Sequence, residues 1–246
     1  MFFVYLRAAL AALLACIAAS VNAGVVITGT RVVYPEGSRE VSLRMRNADE
    51  KPLLVQSWID DGNINSTPGA LDVPFLVTPP VSRVEPGKGQ TLRIVYVGAD
   101  LPRDRESLYF LNVLEVPPKA ERKENENYMQ LAVRTRLKLF MRPGGLTALV
   151  EEAPQALTWQ LGDKGALQVS NPTPYYVTFS RVQANIAGSQ VFFAQDMVAP
   201  FGTLVLKRAA GKAADRQPVA ANQVRFGVIN DYGAEVQTQA EIRPRP

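Results

Sequence analysis

The side chains able to do chemistry in this chain are carboxylates and cations. There is no His and a single Cys in 246 residues. Without imidazole there is no Ser-His-Asp or Cys-His nucleophilic pair, no imidazole general base and no His-ligated zinc or copper. Cys16 alone makes neither an internal disulfide nor a Cys-x-x-Cys redox pair. The 23 Asp and Glu keep carboxylate-only glycosidase or magnesium chemistry open. On the cationic side, 27 Lys and Arg give a net charge of +4. That balance is mildly basic and matters only where the charges cluster. One such group is Arg134, Arg136, Lys138 and Arg142.

The element that carries this group is unusual. From Met129 the odd positions read Met129, Leu131, Val133, Thr135, Leu137 and Leu139, and the even ones Gln130, Ala132, Arg134, Arg136 and Lys138. A strand puts these two sets on opposite faces. One reading is an ordinary half-buried strand with a solvated basic face. Against it stands the length: the pattern predicts a strand over 128–141, far beyond the usual 5–6 residues. The polar stretch Lys119–Asn127 precedes it. An exposed edge with an alternating apolar row is either an aggregation hazard or a site where a partner strand adds.

The rest of the chain also reads as strands. No segment keeps a helical period over three turns. Val41, Leu43 and Met45 alternate with Ser42, Arg44 and Arg46, and residues 53–60 run to Asp61-Gly62-Asn63. Glu85-Pro86-Gly87-Lys88-Gly89 is a turn, because Pro presets φ and Gly tolerates φ > 0. Residues 107–116 form a strand ending at Pro117-Pro118. Further strands are expected near 165–170, 175–182, 191–194, 203–207, 223–229 and 236–242. Many short strands with regular turn signals predict an all-β protein of two immunoglobulin-like sandwiches. Pro143-Gly144-Gly145 divides them, giving domains 24–143 and 144–246. Trp58 and Trp159 are expected in the cores.

Residues 1–23 read as a secretory signal: Arg7, an apolar run from Ala8 to Ala19, then Ser20-Val21-Asn22-Ala23 as the cleavage site. The apolar run is shorter than the roughly 20 residues of a membrane span. Leu13-Leu14-Ala15-Cys16 loosely resembles a lipobox, so lipidation of Cys16 is the competing reading. Cleavage after Ala23 removes Cys16 and leaves an exported protein.

The stretch Leu101–Pro118, LPRDRESLYFLNVLEVPP, resembles the signature segment of periplasmic pilus chaperones of the chaperone–usher pathway, the PapD-like family. The likeness extends to Thr30-Arg31, Thr78-Pro79-Pro80, Arg83–Gly87, Lys138–Pro143, Asn171–Tyr176 and Ile229–Gly233. The resemblance implies no catalysis, no metal and no cofactor. It implies that the exported protein resides in the periplasm. It implies that the two domains are arranged around a cleft, in which Arg31 and Lys138 grip the C-terminal carboxylate of a pilus subunit; two cations on one carboxylate make charge-assisted bonds. It implies that Met129, Leu131 and Val133 complete the sandwich of a subunit lacking its last strand. It also implies that Glu106, Arg142 and Asp231 form interdomain salt bridges. The partners implied are pilus subunits and an outer-membrane usher. The short segment after Pro118 is similar to the short-loop branch of the family.

Two other classes remain open at this stage. One is an exported adhesin or carbohydrate-binding sandwich. The other is a glycosidase using two acids, for which Glu106 and Asp231 already have a structural explanation beside Arg142. Nucleic acid is not expected as a partner, since an exported protein meets none. Self-association of the free protein is expected from its exposed apolar strand.

Overall fold

A computed structural model describes residues 24–69, 72–98, 100–119, 129–162, 166–209 and 218–243. The signal segment, Cys16 and most of the polar stretch before Met129 lie outside the described residues.

The first domain is a two-sheet sandwich. Strands β1 (Val25–Ile27), β3 (Val41–Asn47), β7 (Gly89–Tyr96) and β5 (Phe75–Thr78) form one sheet in the order β1-β3-β7-β5. Strands β2 (Arg31–Pro35), β9 (Val133–Arg142), β8 (Ser107–Val116), β4 (Leu53–Asp60) and β6 (Val81–Val84) form the other, in the order β2-β9-β8-β4-β6. Alternation decides which side chains meet between them. Leu43, Leu92, Ile94, Leu111, Val113 and Leu139 are all buried in one core. Burying a side chain of this size contributes about 1.5–3 kcal/mol.

The second domain starts with a 3-10 turn at Val150–Glu152 and a short helix α1 (Ala153–Ala156). Its strands are β10 (Thr158–Leu161), β11 (Leu167–Ser170), β12 (Val177–Ile186), β13 (Ser189–Phe193), β14 (Met197–Val198), β15 (Thr203–Leu206), β16 (Gln223–Ile229) and β17 (Glu235–Arg243). β10 joins the end of β17 in parallel, Trp159 opposite Ile242, so one hydrogen-bonded sheet wraps the core. Trp159, Phe179 and Phe226 fill its centre, with ring centroids 4.8–5.9 Å apart. The all-β, two-domain architecture expected from the turn spacing is the one observed.

One element differs from expectation. The strand predicted over 128–141 begins only at Val133 and runs to Arg142; Tyr128 lies outside the described residues and 129–132 is not strand. The neighbour explains this. In the β8–β9 ladder Glu115 faces Val133, and the next residues along from Val116 are Pro117 and Pro118. Pro has no N–H to donate, so the ladder stops. Gln130 instead donates through Nε2 to the Pro117 carbonyl at 2.7 Å.

Candidate functional site

The two faces of β9 do different work. On the odd face Leu137, Leu139 and Met141 enter the core. Towards its start the same row runs out past the sandwich: Val133 is 55% exposed, Leu131 67% and Met129 83%. Apolar side chains so exposed in one row are an unpartnered surface. The backbone is open too. β2 pairs with β9 only over Lys138–Arg142, while β8 covers the other edge from Val133 to Met141. Among the described residues, 133–137 therefore present one free ladder edge, of the kind to which an added strand hydrogen-bonds.

The free edge ends at a pair of cations. Arg31 opens β2 and stands opposite Lys138 in the parallel ladder. Arg31 Nη1 donates to the Ile229 carbonyl of the second domain at 2.7 Å, and its ring neighbour is Phe140 at 5.7 Å. Among the described residues its buried Nε has no hydrogen-bond partner. Lys138 Nζ donates to Thr178 Oγ1 at 3.1 Å. Among the described residues neither cation has a carboxylate within salt-bridge distance. Burial, then the neighbouring Arg31 charge, push the Lys138 ammonium down to about 8. Burial likewise lowers Arg31, against the pull of Asp231 and Glu106, yet a guanidinium stays charged at neutral pH. Two half-desolvated cations side by side attract anions more strongly than exposed ones. Beside Arg31 a cavity of about 180 Å³ opens, walled by Gln155, Tyr176, Ile229, Asp231 and Tyr232.

A second charge group locks the two domains. Arg142, at the end of β9, reaches Asp231 through Nη1 at 2.6 Å and Nη2 at 3.0 Å, and Glu106 through Nε at 2.8 Å. Glu106 is buried; its other oxygen accepts the Tyr176 N–H at 2.8 Å, and its own N–H donates to the Pro174 carbonyl at 3.0 Å. Burial lowers the Arg142 guanidinium, but its bonds to Asp231 and the nearby Glu106 charge outweigh this and hold it well above its usual range. Gly233 packs on Thr30 of the first domain, where a Cβ would stand 2.7 Å from Thr30 Oγ1. Its φ of +83° also favours glycine.

The even face of β9 is not a solvated basic face. Asp60, fully buried at the end of β4, binds Arg136 through both carboxylate oxygens. It also accepts from Asn112 Nδ2 at 2.7 Å, the Gly62 N–H at 2.8 Å and Ser66 Oγ at 3.2 Å. Arg134 lies over the Trp58 ring at 4.8 Å and donates to the Ile64 carbonyl at 2.7 Å. Trp58 is thus buried under a loop pinned by Arg134, outside the main core. Sequence reasoning missed this network and also missed Thr178, the hydrogen-bond partner of Lys138. The available signal was Asp60 at the inner end of an apolar strand, but only the β4-β8-β9 register sets it against Arg136.

Among the described residues no group of three or more Cys, Asp and Glu stands close enough to hold a metal. No described helix is long and apolar enough to cross a membrane. Residues 24–147 match the family model for the pili and flagellar-assembly chaperone PapD N-terminal domain, and residues 152–240 the pili assembly chaperone PapD C-terminal domain. The probable fimbrial chaperone YadV of Escherichia coli K12 is 44% identical over 228 residues, covering 89% of this chain and 90% of the relative. The crystal structure of the Pseudomonas aeruginosa CupB2 chaperone superposes with a TM-score of 0.74 at 42% identity, over 89% of this chain and all of that one. A solved complex of the Salmonella enterica SafB chaperone with the SafA pilin gives a TM-score of 0.74 at 29% identity, over 89% of this chain and 96% of the matched one.

Proposed function

Because the chain belongs to the PapD-like family of pilus-assembly chaperones, we propose that it captures newly exported pilus subunits by lending them a strand. It is a chaperone of the chaperone–usher type, and it acts stoichiometrically. The observation that supports strand lending is the edge of β9 at 133–137, free among the described residues, continued by an exposed apolar row and ended by two cations with no carboxylate partner among those residues. Met129, Leu131 and Val133 would fill the open groove of a subunit. Burying the three contributes on the order of 1.5–3 kcal/mol each. Arg31 and Lys138 would hold the subunit's terminal carboxylate, which sets the register between the two strands. Glu106, Arg142 and Asp231 keep the domains at the angle this needs. The capped subunit passes to an outer-membrane usher, where a better-fitting extension of another subunit displaces the chaperone without ATP.

The same reading places the protein in the periplasm after cleavage behind Ala23, with the domains divided at Pro143-Gly144. Chaperones of this class are periplasmic, and the signal-like sequence of 1–23 supports export. Co-expression with candidate subunits tests it. Arg31→Ala and Lys138→Ala each abolish subunit accumulation while the free chaperone stays folded. Undiminished yield with both variants rejects the carboxylate anchor, and unchanged subunit affinity with Leu131→Asp rejects the donor strand.

A further inference from the structure

Glu115 is the one acid on β8 whose burial the subunit-binding machinery leaves unexplained. It follows Leu111 and Val113 on the inward face, opposite Val55 on β4 and Val133 on β9, and is 7% exposed. Among the described residues no Lys or Arg forms a salt bridge with it. Its bond is to the backbone: the Val25 N–H donates to Oε2 at 2.7 Å. The other charged group that bears on it is Asp49, an anion, so burial first and Asp49 with it raise the Glu115 carboxyl above its usual range despite that bond. A buried carboxylate without a cation is costly, and breaking such a pair by removing one partner is strongly destabilising.

The missing cation has a place. Gly24 stands against this carboxylate: a Cβ built on it would overlap Glu115 Oε2, with Leu53 Cδ1 3.7 Å away. The Gly24 carbonyl accepts the Ala48 N–H at 2.9 Å, and Val25 pairs with Asn47, so the residue is tied on its C-terminal side. Its nitrogen is one bond from the α-carbon that faces the carboxylate. Hydrolysis of the Ala23–Gly24 amide consumes one water and yields an Ala23 carboxylate and a Gly24 α-ammonium.

We infer that Glu115 is a buried acceptor site for the α-ammonium that signal cleavage creates on Gly24. The inference rests on cleavage behind Ala23. In the precursor this position is a neutral amide, so the carboxylate lacks its counter-ion. Processing supplies it and closes β1 onto the end of the core, next to the root of the donor segment at Val133. The first domain therefore gains stability only after export, and the precursor stays easier to unfold for translocation.

The experiment compares four exported proteins: the processed chain, the same chain with one extra Ala before Gly24, and each of these with Glu115→Gln. Mass spectrometry of the intact processed chain first reads its N-terminus; a start other than Gly24 overturns the inference by removing its premise. With Glu115 present, the extra Ala lowers the first domain's Tm by about 3–5 °C, and with Glu115→Gln it shifts Tm by less than about 1 °C. An equal drop in both backgrounds overturns the ion pair. The second readout needs no variant: the pH dependence of acetylation of the α-amine. The ion pair moves its pKa above the ordinary value of about 8, and an ordinary value overturns the inference. Subunit capture is assayed separately, so the loss of this pair and the loss of the donor-strand reading are told apart.

Discussion

Arg31 and Lys138 stand directly opposite one another in the parallel ladder between β2 and β9, and neither has a carboxylate partner among the described residues. Folding thus brings two cations together at a cost, in a place where neither burial nor pairing rewards them. Such an arrangement is stable only because the surrounding sheets over-determine it, and it is poised to take an anion.

The cost gives a pH signature for binding. Lys138 is pushed down to about 8 by burial and by Arg31. Only the ammonium form attracts a carboxylate. Subunit affinity is full below this value and falls above it, by about tenfold between pH 7 and pH 9. Lys138→Arg keeps its charge throughout, so its affinity is flat over that range. Calorimetric titration with a purified subunit or its C-terminal peptide decides the matter; a flat wild-type profile removes Lys138 from the carboxylate site.

The charge on Lys138 acts on stability with the opposite sign to its proposed role in binding. An unfolded Lys keeps its proton to near 10.5, whereas folded Lys138 releases it near 8. Between these values the unfolded chain binds more protons, so stability rises with pH. Lys138→Met, of similar length, removes the desolvated charge. It raises the first domain's Tm by a few degrees, about 1 kcal/mol, and loses the rise between pH 8 and 10.5. Subunit capture is lost at the same time. A lowered Tm would mean that the bond to Thr178 outweighs the burial cost.

Much of this architecture was legible from the residues. Turns such as Glu85-Pro86-Gly87, the alternation of β3, and the stops Asp61-Gly62-Asn63 after β4 and Pro117-Pro118 after β8 announce the strands, because local chemistry specifies them. Arg31, Lys138 and the Glu106–Arg142–Asp231 group came from resemblance; nothing local in Asp231 says that it meets Arg142. The start of β9 differs from the expected one because its own alternation continues to Met129, while its length is decided by the two prolines after β8. Asp60 was missed for a related reason. Followed by Asp61-Gly62 it reads as the start of a turn, and its partners come from strands 52 and 76 residues away. Long-range register is what the residues do not announce.

The interdomain lock predicts a change of shape without loss of fold. Asp231→Ala removes both bonds from the Arg142 fork, leaving Arg142 to the buried Glu106 alone. Bidentate charged bonds are among the stronger polar contacts, so the distribution of angles between the domains broadens. Small-angle scattering of the free protein shows a larger spread of dimensions, while circular dichroism and the separate domain cores are unchanged. An unaltered scattering profile would show that Glu106, through its bonds with Tyr176 and Pro174, holds the angle by itself.

The Asp60 network bears on the root of the proposed donor segment. Asp60→Ala leaves Arg136 and Arg134, both half-buried beside Trp58 and Phe110, without their shared anion. Breaking a buried pair from one side costs about 3–5 kcal/mol, and here Asp60 is the fully buried member. Burial alone would raise the Asp60 carboxyl; the bonds from Arg136, Asn112 and the Gly62 N–H outweigh it and hold it below its usual 3.8. Its contribution is therefore complete above about pH 4 and disappears as pH falls through the lower folded value. The wild type and Asp60→Ala differ most at neutral pH and converge in acid. Trp58, with its Nε1 bonded to Ser66 at 3.1 Å, reports the change by fluorescence, because the loop over it loses its anchor. Hydrogen exchange at 133–137 rises in the variant and subunit affinity falls with it, even though no residue that would touch the subunit has changed. Equal stability of the two proteins at pH 7 would make Asp60 a passive end to β4, and the even face of β9 would then need another explanation for its two half-buried arginines.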